Sequence, residues 1–146
     1  MLAARARLLI ATLWVGSLWT VGYLVAPTLF ATLSDRVLAG TIAGKLFRIE
    51  AWLSLGCALA LILLVRSGEN AKQAKHVLWL ALAMLACTVV GYFGLQPFMA
   101  ALRDTAGSSG LMDADTKTKF GLLHGFSSAF YLVQSLLGVA LILKIR

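Results

Sequence analysis

The chain has 146 residues, of which 60% are hydrophobic and 13% are charged, and its formal net charge at pH 7 is +7. Soluble domains ordinarily carry about 25% charged residues, so this composition excludes an ordinary soluble protein. The basic residues are spread over the connecting segments, which is typical of a membrane protein. The sequence therefore predicts the lipid bilayer as a partner, and no nucleic acid.

Four apolar stretches follow one another along the chain. Each has roughly 20 residues, the length that crosses a hydrocarbon core of about 30 Å. They lack the polar stripe that the helices of a soluble four-helix bundle carry. The sequence predicts an all-α integral membrane four-helix bundle with short loops, as a single domain over residues 1–146. The predicted spans are Leu8–Phe30, Leu46–Val65, His76–Gln96 and Phe120–Leu143.

The first stretch follows two arginines, as the core of a secretory signal does. It is longer than a typical signal core of about 7–15 residues, and it contains Trp14, Trp19 and Tyr23. We expect it to be retained as the first helix. Pro27 near its end, like Pro97 near the end of the third stretch, removes a backbone donor and bends or ends the helix.

The first loop, Ala31–Lys45, contains residues that favour helix. Asp35 is a good helix cap, and Gly40 and Gly44 share one helical face, where small residues permit close helix contact. We expect a short interfacial helix here, which lies on the membrane surface and bends into the second stretch.

The two other loops are polar. Residues Ser67–Asn70 offer turn chemistry between the second and third stretches, which we expect to be antiparallel neighbours. Residues Gly107–Gly110 predict a flexible approach to the last stretch.

An even number of spans places both termini and the middle loop on one side of the membrane. That side has seven basic residues and the other has six, so the excess of Lys and Arg on cytoplasmic loops predicts cytoplasmic termini. The seven are Arg5, Arg7, Arg66, Lys72, Lys75, Lys144 and Arg146.

The last stretch carries a polar stripe on one helical face, because its members alternate in steps of four and three. One interpretation is a helix-packing face, in which Gly121, Gly125 and Ser128 permit close approach. The other interpretation is that the stripe forms one wall of a pocket or of a solute path. The stripe consists of Lys117, Gly121, His124, Ser128, Tyr131, Ser135 and Gly138.

His124 belongs to a group of polar residues that we expect at one depth in the membrane. An ionisable side chain inside a span is a functional-site hypothesis by default. His124 and Glu50 each follow a lysine by five residues, about 7.5 Å along a helix. Tyr23, Arg48 and Gln96 reach the same membrane side. These five residues form the candidate polar site, with Glu50 and His124 as the pairing to test first.

The pattern does not favour catalysis or metal binding. His76, the only other histidine, begins the third stretch at the opposite membrane side from His124. Serines on membrane helices usually bond to their own backbone, and no Gly-x-Ser-x-Gly elbow is present. The sequence predicts no enzyme, no cofactor and no metal site.

Four segments resemble a bacterial membrane family known as domain of unknown function 4149, which is similar to eukaryotic transmembrane protein 205. The resemblance implies a four-helix integral membrane protein, and the link of the eukaryotic relatives to metal-drug handling implies a transport-related role. The resembling residues are Trp14-x-Gly16, Ala26-Pro27-Thr28-Leu29-Phe30, Ala39-Gly-Thr-Ile-Ala-Gly-Lys-Leu-Phe47 and Phe120-x-x-x-His124-x-x-Ser127.

We therefore expect a small, non-enzymatic multispanning inner-membrane protein that acts as a membrane component, as a partner subunit or as a homo-oligomer. Two alternatives remain open. One is a haem- or metal-handling membrane protein built on His124, and the other is a proton-coupled transporter that uses Glu50 and His124.

Overall fold

The computed structural model describes residues 2–65, 71–105 and 111–145. The described residues form helices joined by short connections, without strands, and four helical spans are long and apolar enough to cross a membrane. This confirms the predicted all-α four-helix bundle. The turn expected at Ser67–Asn70 and the flexible segment expected at Gly107–Gly110 lie outside the described residues.

Two of the four spans are interrupted by short π-helical segments. The first span comprises α1 (Leu2–Trp19), a π segment (Thr20–Val25) and α2 (Ala26–Thr32). The second span is α3 (Arg36–Val65). The third comprises α4 (Ala71–Thr88), a second π segment (Val89–Gly94) and α5 (Gln96–Thr105). The fourth span is α6 (Ala114–Lys144).

The first loop is helical, as predicted, and its helix continues without a break into the second span, because residues 36–65 form one helix. Asp35 does cap it: its Oδ1 accepts the backbone N–H groups of Val37 at 2.9 Å and Leu38 at 3.0 Å. The helix continues because it contains no proline, and its glycines Gly40 and Gly44 each cost only about 1 kcal/mol relative to alanine.

The spans form a ring in which each contacts the next along the chain and the fourth contacts the first. The predicted contact between the second and third spans is thus confirmed. We call the side that holds Leu2, Val65 and Lys144 the terminal side and the other side the opposite side. The main hydrophobic core lies toward the terminal side, where Trp14, Leu18, Leu61, Met84 and Leu141 are almost completely buried.

A side chain from the fourth span causes the first π segment. The Tyr131 hydroxyl donates to the backbone oxygen of Leu18 at 2.6 Å, the acceptor that Gly22 would use in an α-helix. The Tyr131 ring lies against Gly22, where an added Cβ would be only 2.9 Å from the ring carbon Cζ. A side chain inserted into the backbone ladder is a known cause of such discontinuities.

The second π segment has a similar arrangement. The backbone N–H of Leu95 donates to Val90, five residues earlier, at 3.1 Å, so the oxygen of Gly91 is free to accept the Ser127 hydroxyl at 3.3 Å. Both segments contain a Val-Gly-Tyr triplet, at residues 21–23 and 90–92, shortly before a proline. The helices continue past Pro27 and Pro97, because proline is tolerated in the first turn of a helix.

Candidate functional site

A cavity of about 530 Å³ lies between the four spans in the half of the bundle near the opposite side. Its wall is largely apolar, but every span contributes polar groups that point into it. Pockets of this size, apolar with a few convergent polar groups, are the usual form of small-molecule sites. The polar lining residues are Tyr23, Glu50, Ser54, Thr88, Tyr92, Gln96, His124, Ser127, Ser128, Tyr131 and Gln134.

Four of the five residues predicted for the polar site line this cavity. Tyr23, Glu50, Gln96 and His124 each come from a different span and meet at one depth. Arg48, the fifth, is exposed and does not line the cavity wall. Residues two apart on a helix point in different directions, so α3 cannot present both Arg48 and Glu50 to the same space.

Glu50 is 4% exposed and is held by hydroxyl groups. Its Oε1 accepts a hydrogen bond from Ser54 at 3.5 Å and lies 3.2 Å from the Ser17 hydroxyl, which shares its one proton between Glu50 and the backbone oxygen of Trp14 at 2.9 Å. Ser54 in turn accepts a hydrogen bond of 2.8 Å from Trp14 Nε1. The other carboxylate oxygen, Oε2, has no hydrogen-bond partner among the described residues. Ser17 of the first span and Ser54 of the second therefore hold one oxygen of Glu50, whose side chain lines the cavity.

His124 lies at the rim of the cavity and is exposed. Its ring stacks on Phe120, with the ring centroids 6.1 Å apart and the planes at 5°. Within the described part of the chain, no hydrogen bond or ion pair joins His124 to Glu50. The pair shares the cavity as predicted, but the two side chains do not bond.

Three aromatic rings form one wall of the cavity. Tyr131 packs edge-to-face against Phe47 at 5.4 Å and against Tyr23 at 6.1 Å between ring centroids. The Tyr23 hydroxyl donates to Ser135 Oγ at 3.0 Å, which ties the first span to the fourth. These contacts fix the ring positions and leave a rigid aromatic surface.

The stripe on the fourth span divides into two halves. Tyr131, Ser135 and Gly138 pack against the first span, where a Cβ at Gly138 would lie 2.9 Å from Val15. The members from Lys117 to Ser128 are exposed. One half of the stripe thus packs within the bundle, whereas His124 and Ser128 in the other half line the cavity.

The predicted packing glycines also differ from one another. A Cβ at Gly121 or Gly125 would meet no atom within 4 Å and Ser128 is exposed, so this pair makes no close contact with another described helix of the chain, and helix packing through it stays a prediction. Gly40 and Gly44 do have neighbours. Arg103 Nη1 donates to the Gly40 oxygen at 3.4 Å and would lie 3.7 Å from a Cβ at Gly44.

Sequence reasoning missed several residues that build the floor of the site. Trp14, Ser17 and Ser54 surround Glu50, and Gln134 Nε2 donates to Thr88 Oγ1 at 2.9 Å in a second buried pair. The available signal was the i, i+4 spacing of Glu50 and Ser54, which places both on one helical face. Partners across two helices have no such signal in the sequence.

The cavity opens between the first and fourth spans. All of its exposed lining residues belong to those two spans, whereas the lining residues of the second and third spans are buried or half-buried. Ser128 and Leu132 lie near the middle of the 31-residue α6, so the opening reaches the middle of the fourth span. The exposed lining residues are Tyr23, Pro27, Phe30, His124, Ser128 and Leu132.

No group of three or more His, Cys, Asp or Glu residues that could hold a metal ion occurs in the described ranges. Cys57 and Cys87 are buried free thiols, and buried cysteines behave as small hydrophobic residues.

A family model described as Domain of unknown function (DUF4149) matches residues 9–108 of the chain. The matched segment contains Glu50, Gln96 and both π segments, and it ends before the fourth span. No curated protein and no solved structure matches the chain significantly. Because the match covers more than half of the sequence, and the four apolar spans agree with a small multispanning membrane protein, the chain belongs to the DUF4149 family.

Proposed function

We propose that the protein is a non-enzymatic membrane component that binds a small amphiphilic molecule in the cavity between its four spans. The observation that carries this proposal is the cavity itself, which has a buried polar floor and an otherwise apolar wall. We further propose that it lies in the bacterial inner membrane, and the slight excess of basic residues on the terminal side favours cytoplasmic termini.

The arrangement of polar groups favours binding over catalysis. Acid–base or nucleophilic catalysis needs side chains within hydrogen-bond reach of one another, whereas His124 stacks on Phe120 at the rim and Glu50 is held by serines at the floor. Separated groups of this kind orient a ligand at several points. This supports a recognition role for Glu50, Gln96 and His124.

The position of the opening favours a ligand that dissolves in lipid. The gap between the first and fourth spans reaches the middle of the fourth span, so a molecule with an apolar body can enter sideways from the bilayer. A transport-related role is consistent with such an entrance.

Filling the cavity tests the proposal. Ala51 is buried in the wall, so we expect Ala51→Phe to occupy the ligand space. A ligand that binds only the native state raises the melting temperature. Amphiphilic probes of positive, neutral and negative charge should include at least one that stabilises the wild-type protein, and Ala51→Phe should abolish that stabilisation.

The matched control is Ala86→Phe, a substitution of the same type at an exposed position of the third span. It should retain the response to the probe. The proposal is wrong if no probe stabilises the wild-type protein, or if a stabilising probe acts equally on Ala51→Phe.

A second candidate role is that of a partner subunit or homo-oligomer. The exposed half of α6 presents Gly121 and Gly125 with open space above both, and small residues four apart permit another membrane helix to approach closely. Leu122 and Phe126 on the same helix are also more than 60% exposed.

A further inference from the structure

The charges around the cavity are strongly asymmetric. Glu50 is its acidic residue, and no lysine or arginine lines it among the residues that the structure describes. Two basic residues of the opposite side are engaged elsewhere, and Arg48 is exposed on α3. Arg103 lies over the Phe120 ring at 5.9 Å and donates to Gly40, and Lys119 pairs with Asp115 at 2.5 Å. Among the described lining residues, the cavity therefore has an acidic side chain without a basic partner.

The second carboxylate oxygen of Glu50, Oε2, is the atom that a positively charged group of a ligand would contact. Both hydrogen bonds of the carboxylate reach Oε1, and the side chain is almost completely buried. A buried carboxylate is costly unless it is paired. A positive group on the ligand would supply the missing partner for Oε2.

The aromatic wall suits an organic cation better than a metal ion. Phe47 lies three residues before Glu50 on α3 and therefore shares its helical face. Tyr131 and Tyr23 continue the aromatic surface from Phe47. Aromatic faces attract organic cations that have lost their water, whereas hard metal ions require several oxygen ligands in a shell.

We propose that the ligand of this cavity is an amphiphilic organic cation, whose positive group lies between the Glu50 carboxylate and the rings of Phe47, Tyr131 and Tyr23. The proposal rests on the proposed function and names its class of ligand. The apolar body of the cation would fill the rest of the cavity toward the opening between the first and fourth spans.

Two ions of the same shape and opposite charge provide the test. Tetraphenylphosphonium is a cation and tetraphenylborate is its anionic counterpart. Triphenylphosphine oxide is neutral, so its affinity measures binding that does not depend on the charge of the ligand. Dissociation constants would be measured for the full chain in a neutral detergent. We expect the cation to bind at least about tenfold more tightly than the anion, a factor typical of a single charged contact.

Glu50→Gln should weaken binding of tetraphenylphosphonium about tenfold or more and leave triphenylphosphine oxide unaffected. The control is Asp104→Asn, which removes one negative charge from an exposed position on the same side of the bundle. It should not change the binding of either probe. If Glu50→Gln does not fold, the affinities of the wild-type protein for the two ions decide whether the cavity prefers a cation.

The outcomes separate this inference from the function on which it rests. Equal binding of the two ions, or a cation affinity that is unchanged in folded Glu50→Gln, overturns the cation assignment, while binding of the neutral probe still supports an amphiphile site. If none of the three probes binds the wild-type protein, the cation assignment fails and the proposed function is contradicted as well.

Discussion

Glu50 is stabilised inside the bundle by hydroxyl groups rather than by an opposite charge. Ser54 connects it to Trp14 because Ser54 Oγ accepts the indole N–H and donates to the carboxylate. Ser17, one turn from Trp14, donates to the same oxygen. The orientation of the only acidic group in the described cavity wall therefore depends on residues of the first span.

Ser54→Ala should destabilise the protein by about 1–2 kcal/mol. The substitution leaves the buried Trp14 N–H without its acceptor, which costs about 1–3 kcal/mol in soluble proteins, whereas hydrogen bonds in membranes average about 0.6 kcal/mol. The free energy of unfolding in SDS titrations would measure the loss.

Thr41→Val is the control for Ser54→Ala. Thr41 lies on the same helix, but it is exposed and its hydroxyl bonds to the backbone of Val37. Its removal should change the free energy of unfolding by less than about 0.5 kcal/mol. An equal effect of the two substitutions would contradict a special role for the Trp14–Ser54 contact.

The π segments show how one helix alters another. In the first span, Gly22 leaves room for the Tyr131 ring, and the Tyr131 hydroxyl takes the Leu18 oxygen from the helix ladder. Beyond this point α2 packs chiefly on α3, whereas α1 packs on both α3 and α6. The discontinuity therefore lies where the first and fourth spans separate and the cavity opens. π segments inside α-helices often occur at functional sites.

Gly22→Ala should destabilise the protein by about 1–3 kcal/mol, the usual cost of overpacking. The new methyl group meets the Tyr131 ring, which cannot move away without losing its bond to Leu18. Thermal unfolding in detergent would measure the change.

Gly16→Ala on the same span is the matched control, because a Cβ there meets no atom within 4 Å. It should be neutral or stabilise the helix by up to about 1 kcal/mol. If Gly22→Ala proves as stable as Gly16→Ala, the fourth span does not impose the π segment.

The whole bundle has two unlike halves. The terminal half is densely packed around Trp14, Leu61, Met84 and Leu141, whereas the other half contains the cavity. Close contact of α6 with the first span at Gly138 belongs to the packed half. The packed half holds the four spans together, so the other half can remain open without loss of the fold.

If the exposed face of α6 binds a second copy of the chain, Gly125→Ile should convert dimers to monomers in light-scattering measurements. A large side chain would prevent close approach of the partner helix. Gly56→Ile is the control, because Gly56 is also exposed and unobstructed but lies on α3. A monomeric wild-type protein, or equal effects of the two variants, would exclude association through this face.

Much of the architecture was predictable because its signals are local. Span length and hydropathy identify four membrane helices, and the family match agrees with the resemblance in Trp14 and in residues 26–30 and 39–47. Equal distances from Lys45 and Lys119 placed Glu50 and His124 at one depth, and both line the cavity. Depth along a helix follows from counting residues, since the rise per residue is constant.

The contacts within the site depended on tertiary packing. Local sequence did not reveal that Arg48 lies outside the cavity, that Glu50 bonds to serines rather than to His124, or that Tyr131 enters the ladder of the first span. These features depend on how each helix is rotated against its neighbours. In uniformly apolar spans the hydropathy pattern scarcely specifies that rotation, and it is set by the fit of small residues such as Gly22 and Gly138 against large side chains.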